Sequence, residues 1–272
     1  MTDKDEARFP RGDLMAGKRG LVLGVANDHS IAWGIARALA AHGAEIALTY
    51  QGEAFEKRVK PLAEALGSRL VLPCDVTDEA TLKSLFAELG RVWGRLDFLV
   101  HAIAYSDKSE LQGRYVDTSR DNFVQTLLIS CFSFTDVARR AAPLMPEGGA
   151  LLTLSYLGAE RVVPSYNVMG VAKAALEASV RYLASDLGGD GIRVNAISAG
   201  PMRTLAGSAV AGARALFKWN ERHAPLKAQV DLGDVGGAAL YLLSDLSARV
   251  TGEVLHVDAG YHIVGMPSPK DL

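Results

Sequence analysis

Short apolar runs recur along this chain, separated by longer stretches in which apolar residues return every three or four positions. The short runs fall at 20–25, 45–50, 69–74, 96–101, 149–154, 192–197 and 253–257. Most are continuous in Val, Leu, Ile and Ala, the pattern of strands covered on both faces. The longer stretches predict helices over 31–42, 53–66, 78–92, 121–142, 165–187 and 232–243. Strict alternation of the two kinds predicts a parallel sheet. The expected fold is therefore α/β: a single Rossmann-like, doubly wound domain with a seven-stranded parallel sheet and helices on both faces.

Local signals agree with these boundaries. Ser30 stands where it can cap the first helix, Gly43 and Gly67 follow two helices, Thr77 and Asp78 open another, and Gly188-Gly189 end the long one. No composition break, fixed repeat or low-complexity linker divides the chain. Residues 1–15 read as a polar N-terminal tail, 16–266 as the domain and 267–272 as a C-terminal tail. The least regular stretch, 202–224, follows Ala199-Gly200-Pro201, carries Phe217 and Trp219, and reads as a flap over a substrate.

The first strand runs into a loop with Gly24 at its start, Ser30 near its end and Gly34 in the following helix. A glycine at the strand end and another where the helix meets the sheet give the close backbone approach that a pyrophosphate needs above a helix N-terminus. The three-glycine fingerprint is absent, and Ala26 and Ser30 stand where shorter loops carry glycine. Gln51, after the second strand, occupies the place of the acid that reads a ribose 2′-hydroxyl. It lacks an acid's repulsion of a 2′-phosphate, and no arginine stands directly beside it, so NADH and NADPH both remain open. Asp75-Val76 can hold an adenine edge, although Asp75 reads equally well as a solvated acid or cap. His101 reads as a packed, hydrogen-bonded histidine.

Seven residues separate Tyr166 from Lys173, which on a helix brings phenol and ammonium to nearly one face, two turns apart. A ketone reductase needs its proton donor beside the carbon that receives hydride, and there the tyrosine stands four residues before the lysine. In an α,β-unsaturated thioester, hydride goes to C3 and charge collects on the carbonyl oxygen three bonds away. A donor one further turn out, roughly 4.5 Å along the axis, suits that substrate. Lys173 is expected to bind ribose hydroxyls and to lower the phenol's pKa. Tyr156 can contact the same thioester or simply pack. Met169 and the Phe132/Phe134 pair read as core or pocket lining, and Phe217 and Trp219 as an acyl-chain cover or a subunit contact.

Composition narrows the class. With 49% hydrophobic residues, 22% charged and a formal net charge of −2, the chain reads as neither disordered, fibrous nor nucleic-acid-binding. Its two cysteines, Cys74 and Cys131, match no metal or redox spacing and read as buried thiols. A charged N-terminus and the lack of any run of about 18 uncharged apolar residues argue against a signal peptide or membrane span. A cytoplasmic location is expected.

From about Met15 to Met266 the chain resembles the short-chain dehydrogenase/reductase superfamily. Within it, the chain is similar to the bacterial enoyl-acyl-carrier-protein reductases of fatty-acid synthesis. The resemblance rests on Gly24 through Gly34, Leu151 through Arg161, the start of the Tyr166–Lys173 helix and Asn195 through Ala206. Two departures from the wider superfamily, Met169 four before the lysine and no Asn-Ala-Gly run after the fourth strand, are shared by the enoyl reductases. The resemblance implies NAD contacts by Gly24, Ser30, Ile31, Gln51, Asp75, Val76, Ile103, Lys173, Met202, Arg203, Thr204, Leu205 and Ala206. It implies catalysis by Tyr156, Tyr166 and Lys173, with substrate contacts at Ser106, Tyr156 and Tyr166, although Ser106 stands where some relatives have alanine. It also implies a homotetramer acting on acyl carrier protein. Arg203, Arg214, Lys218, Arg222 and Lys227 are available to dock that acidic partner, or form a solvated face. The competing readings are a dehydrogenase of ketones or alcohols and a non-catalytic NAD-binding scaffold.

Overall fold

A computed structural model describes residues 9–204, 207 and 212–268. All seven expected strands form: β1 (Arg19–Leu23), β2 (Glu45–Tyr50), β3 (Leu70–Pro73), β4 (Phe98–His101), β5 (Gly149–Ser155), β6 (Ile192–Ala199) and β7 (Val254–Val257). They make one parallel sheet in the order β3-β2-β1-β4-β5-β6-β7. The order reverses between β1 and β4, the point where a doubly wound sheet opens a crevice at its carboxyl ends. The main described helices are α1 (Ile31–Ala41), α2 (Gly52–Ala65), α3 (Glu79–Trp93), α4 (Arg120–Leu127), α5 (Ser133–Ala141), α6 (Asn167–Leu187), α7 (Ala213–His223) and α8 (Leu232–Leu243).

Two cores lie on the two faces of the sheet, and the pleat sorts residues between them. Val22, Phe98, Val100, Ala150, Leu152, Ile197 and Ala199 point to one side, where Ile35, Leu39, Val235 and Leu242 of α1 and α8 cover them. Their neighbours Leu21, Leu23, Leu99, Leu151, Val194 and Ala196 point to the other, under Leu85 of α3, Phe134 of α5 and Leu176 of α6. Burial on both faces is why the strand sequences are continuously apolar.

Several local expectations need correction. The helix expected over 121–142 is interrupted by a wider π-turn at Leu128–Phe132, a change in hydrogen-bond step that hydrophobic periodicity does not register. Within the expected flap, 213–223 is the helix α7; Leu205 and Ala206 lie outside the described residues. Ser30 does occupy the N-cap of α1, but its hydroxyl makes no cap bond and instead accepts from the Ala26 and Asn27 N–H groups. The long helix α6 runs into a 3₁₀ turn at Gly188–Asp190, and the left-handed residue is Gly191. From the stretch read as a polar tail, Phe9 and Met15 are buried, and the Gly12 and Met15 N–H groups bond the end of α1. Phe134 is fully buried as expected, whereas Phe132 is 55% exposed. Cys74 and Cys131 are buried thiols. No described helix is long and apolar enough to cross a membrane.

Gly34, expected from sequence where the helix meets the sheet, faces α8 instead. A Cβ there would lie 2.8 Å from both Cβ and O of Leu232, so α1 and α8 pack at their present distance only without it. Gly34→Ala should lower stability by about 2 kcal/mol through overpacking. The melting temperature should fall by roughly 4–8 °C, which calorimetry will read.

Candidate active site

The carboxyl end of β5 organises the site. Lys173, on the second turn of α6, is buried and donates from Nζ to the Leu154 carbonyl at 2.7 Å. Ser155 donates from Oγ to Glu177, one turn further along α6. Tyr156 follows, and its ring meets Tyr166 edge-on with centroids 5.0 Å apart. Tyr166 is the N-cap of α6 and lies just outside the helix, one residue beyond the expected start, yet its helical backbone angles keep it two turns from Lys173. The residues on either side of it, Ser165 (φ 59°) and Asn167 (φ 39°), are in the left-handed region, and such strain persists where surroundings enforce it. Asn167 Nδ2 donates to the Glu110 and Gly113 carbonyls. Gly158 gives Tyr166 its place: a Cβ there would lie 2.3 Å from Tyr166 Cδ1.

Burial shapes the electrostatics. It lowers the Lys173 ammonium to about 8, with Cys131 and Glu177 nearby opposing that fall. It pushes the Tyr166 phenol up, and Tyr156 and Glu177 push the same way. This is opposite to the direction expected from a neighbouring cation, because burial disfavours the phenolate while the ammonium is bonded to Leu154. Burial also carries the Tyr156 phenol up to about 12. His101 is the packed histidine expected, between Thr153 Oγ1 (3.1 Å) and Ser133 Oγ (2.8 Å). Burial and the Lys173 charge depress it to about 3, so it is neutral.

At the point of strand-order reversal, Gly24 (φ 98°) turns the chain out of β1, and a Cβ there would strike the Ala102 carbonyl at 2.1 Å. The loops after β1 and β4 thus pass in backbone contact. The Ser30 bonds hold the first loop above α1, whose first turn carries no acidic residue; that combination fits a pyrophosphate. Gln51 Nε2 donates to Asp75 Oδ2 at 2.8 Å, joining the ends of β2 and β3. Burial pulls Asp75 up, but the Thr77 N–H and hydroxyl and Gln51 outweigh it and hold the carboxyl below its ordinary range. Val76 and Ile103 pack against one core, Ile31 against the other.

The enoyl-(acyl carrier protein) reductase family model matches residues 24–262. The chain belongs to that family. It is 63% identical over 259 residues to the NADH enoyl-[acyl-carrier-protein] reductase 2 of Rhizobium meliloti, covering 95% of this chain and 97% of the relative. The reductase of Anaplasma phagocytophilum, crystallised with NAD, superposes with a TM-score of 0.93 at 61% identity, covering 96% of this chain and 99% of that one. The Bacillus cereus enzyme, crystallised with NADP⁺ and an indole naphthyridinone, does so at 0.92 and 52%, covering 93% and 100%.

Among the family member's other expected contacts, the Ser106 hydroxyl is buried between Asn122 and Thr126, so it braces the loop after β4. Ser130 of the π-turn braces the same loop through both the N–H and carbonyl of Tyr105, a contact that sequence spacing did not expose. Met202 is buried, Arg203 is exposed, and Thr204 Oγ1 accepts from the Gly207 N–H. Met169 is buried in a small cluster with Leu111, Val168 and Ala172, and Tyr166 packs against it. Phe217 is buried, and Trp219 Nε1 donates to Tyr261 Oη at 2.9 Å. That bond latches α7 to the C-terminal segment beside a small cleft lined by Tyr156, Pro201 and Asn220. Glu177 was missed entirely; a lone acid on the inner face of an apolar helix was its only signal.

Proposed function

We propose that this chain reduces the C2=C3 double bond of trans-2-enoyl thioesters carried on acyl carrier protein, using NADH, in fatty-acid synthesis. The observation that carries the reading is the convergence of Tyr156, Tyr166 and Lys173 on the end of β5, with Met169 at the ketone-reductase position.

A bound NADH supplies hydride for C3 of the substrate. Lys173 binds the nicotinamide ribose, with Gly24, Ser30, Ile31, Gln51, Asp75, Val76, Ile103 and the 202–206 segment holding the rest of the dinucleotide. The Asp75 carboxylate against Gln51 disfavours a 2′-phosphate there and supports NADH over NADPH. Tyr166, a neutral phenol because burial raises it, donates a hydrogen bond to the thioester oxygen as enolate charge develops. Tyr156 lines the small cleft beside it, and Ser106 braces the loop after β4. The domain takes in Phe9 and Met15, which are buried, and runs to 266; α7 is the described helix of the proposed substrate flap, and a cytoplasmic homotetramer completes the reading.

With crotonyl thioester and NADH, turnover is expected, and none with a 3-oxoacyl thioester. Tyr166→Phe should cut turnover tens- to thousands-fold while NADH affinity stays within about threefold. A fully active Phe variant removes Tyr166 from the mechanism, and absence of any enoyl-dependent oxidation refutes the reading.

Because Lys173 loses its proton above about 8, cofactor binding should weaken as pH rises through that value, by roughly tenfold per further unit. Fluorescence titration between pH 7 and 9 will read it. Lys173→Ala should bind NADH weakly throughout, and a wild-type curve flat over that range means the neutral amine suffices.

For the carrier protein, Arg214, Lys218 and Arg222 are exposed along α7, and Arg203 before it and Lys227 after it in sequence are exposed as well. Charge reversal at Arg214 and Lys218 should raise KM for the carrier-linked substrate by about three- to tenfold at low salt, leaving the coenzyme A analogue unaffected. Equal KM shifts for both substrates would mean the face is merely solvated.

A further inference from the structure

Glu177 is a carboxyl only 8% exposed, set in an apolar stretch of α6, and nothing in the chemistry above uses it. Its one hydrogen bond shown is from Ser155 Oγ. A glutamine would accept that bond as well, without the desolvation cost of a buried charge. The charge therefore needs a reason of its own. The groups around it are Lys173 one turn before and Arg181 one turn after on α6, Tyr166 at the head of that helix, Glu160 in the loop after β5, and His256 of β7. His256 pairs with Glu160 at 2.7 Å. Burial raises the carboxyl, with Glu160 adding to the rise, while Ser155, His256 and Arg181 oppose it. Lys173, faced also by His101 of β4 and Cys131 of the π-turn, has the most to gain from a nearby anion, since it is a buried ammonium with one carbonyl bond.

We propose that Glu177 is a positioning residue for the tyrosine–lysine pair, clamping the end of β5 to α6 through Ser155 and setting a carboxylate one helical turn from Lys173. The two clamps act on consecutive residues: Lys173 holds Leu154 and Glu177 holds Ser155. Together they fix where the chain emits Tyr156. This proposal rests on the functional reading above both for the substrate and for the hold of Lys173 on NADH, and NADH titrations read the second without turnover.

The two contributions separate by substitution. Glu177→Gln keeps an acceptor for Ser155 and removes the charge. The pH at which NADH binding starts to weaken should then fall by about half a unit or more, because the anion that favours the ammonium is gone. Ser155→Ala keeps the charge and removes the clamp; it should leave that pH in place and cut kcat on crotonyl thioester by roughly tenfold through loss of orientation. NADH titrations need no turnover, so they test the charge even if the enoyl substrate proves wrong. Wild type inert to crotonyl thioester would refute the functional reading alone. A Glu177→Gln binding profile superimposed on wild type overturns the proposal, as does wild-type kcat in Ser155→Ala beside an active wild type. If Glu177→Gln does not fold, Ser155→Ala still decides the clamp.

Discussion

A lysine ammonium removed from water and tied to one carbonyl of β5 is the constraint on which the site depends. Burying a cation costs free energy unless it is hydrogen-bonded, and here Lys173 Nζ meets the Leu154 carbonyl, past the pairing of β5 with β4 and within its pairing with β6. That bond sets the height of α6 against the sheet. The helix can come that close because Gly158 and Gly170 leave room: a Cβ on Gly170 would meet the Gly158 carbonyl at 2.7 Å. With the height set, Tyr166 falls at the helix head over Gly158 and against Tyr156, and the left-handed residues beside it are the local strain that this placement imposes.

The other half of the site follows from sheet order. Reversal between β1 and β4 leaves two loops crossing where Gly24 meets Ala102. Each is made rigid by a serine: Ser30 gathers the first loop, and Ser130 clasps the second from the π-turn. His101 ties the base of that second loop to β5 and α5 through neutral hydrogen bonds. The nucleotide end and the tyrosine–lysine end are thus joined through β4 and β5, adjacent strands in exact register from Phe98 opposite Ala150 to His101 opposite Thr153.

Strand count, strand positions and layer arrangement were legible in the sequence because two-sided burial writes a continuous apolar run. The Tyr166–Lys173 spacing was legible because helical geometry is rigid. What did not show were events of a single hydrogen bond. Ser30 has the chemistry of a cap, and whether its hydroxyl turns forward to the helix or back to the loop is decided by loop length. The π-turn conserves apolar spacing closely enough to pass as one helix. Gly34 was assigned to the sheet because its helix packs there, yet a helix has several faces and the one with glycine lies against α8. The direction of the Tyr166 shift was misread for a similar reason: proximity along a helix face says nothing about where a flexible ammonium points.

That last point bears on what kind of acid the site offers. A phenol raised by burial beside a lysine lowered to about 8 does not form a tyrosinate–ammonium pair at neutral pH. It stays protonated, and on the proposed reading its part is that of a donor aimed at developing charge. Such a donor favours the enolate more than the ground-state carbonyl, since a hydrogen bond strengthens as its acceptor gains charge. A group that must surrender its proton to a ketone-derived alkoxide would stand closer to the reacting carbon, at position 169, where the chain has a methionine packed among Leu111, Val168 and Ala172. With no proton to give at that position, the same fold is left with chemistry in which charge travels along a conjugated chain before it meets its donor.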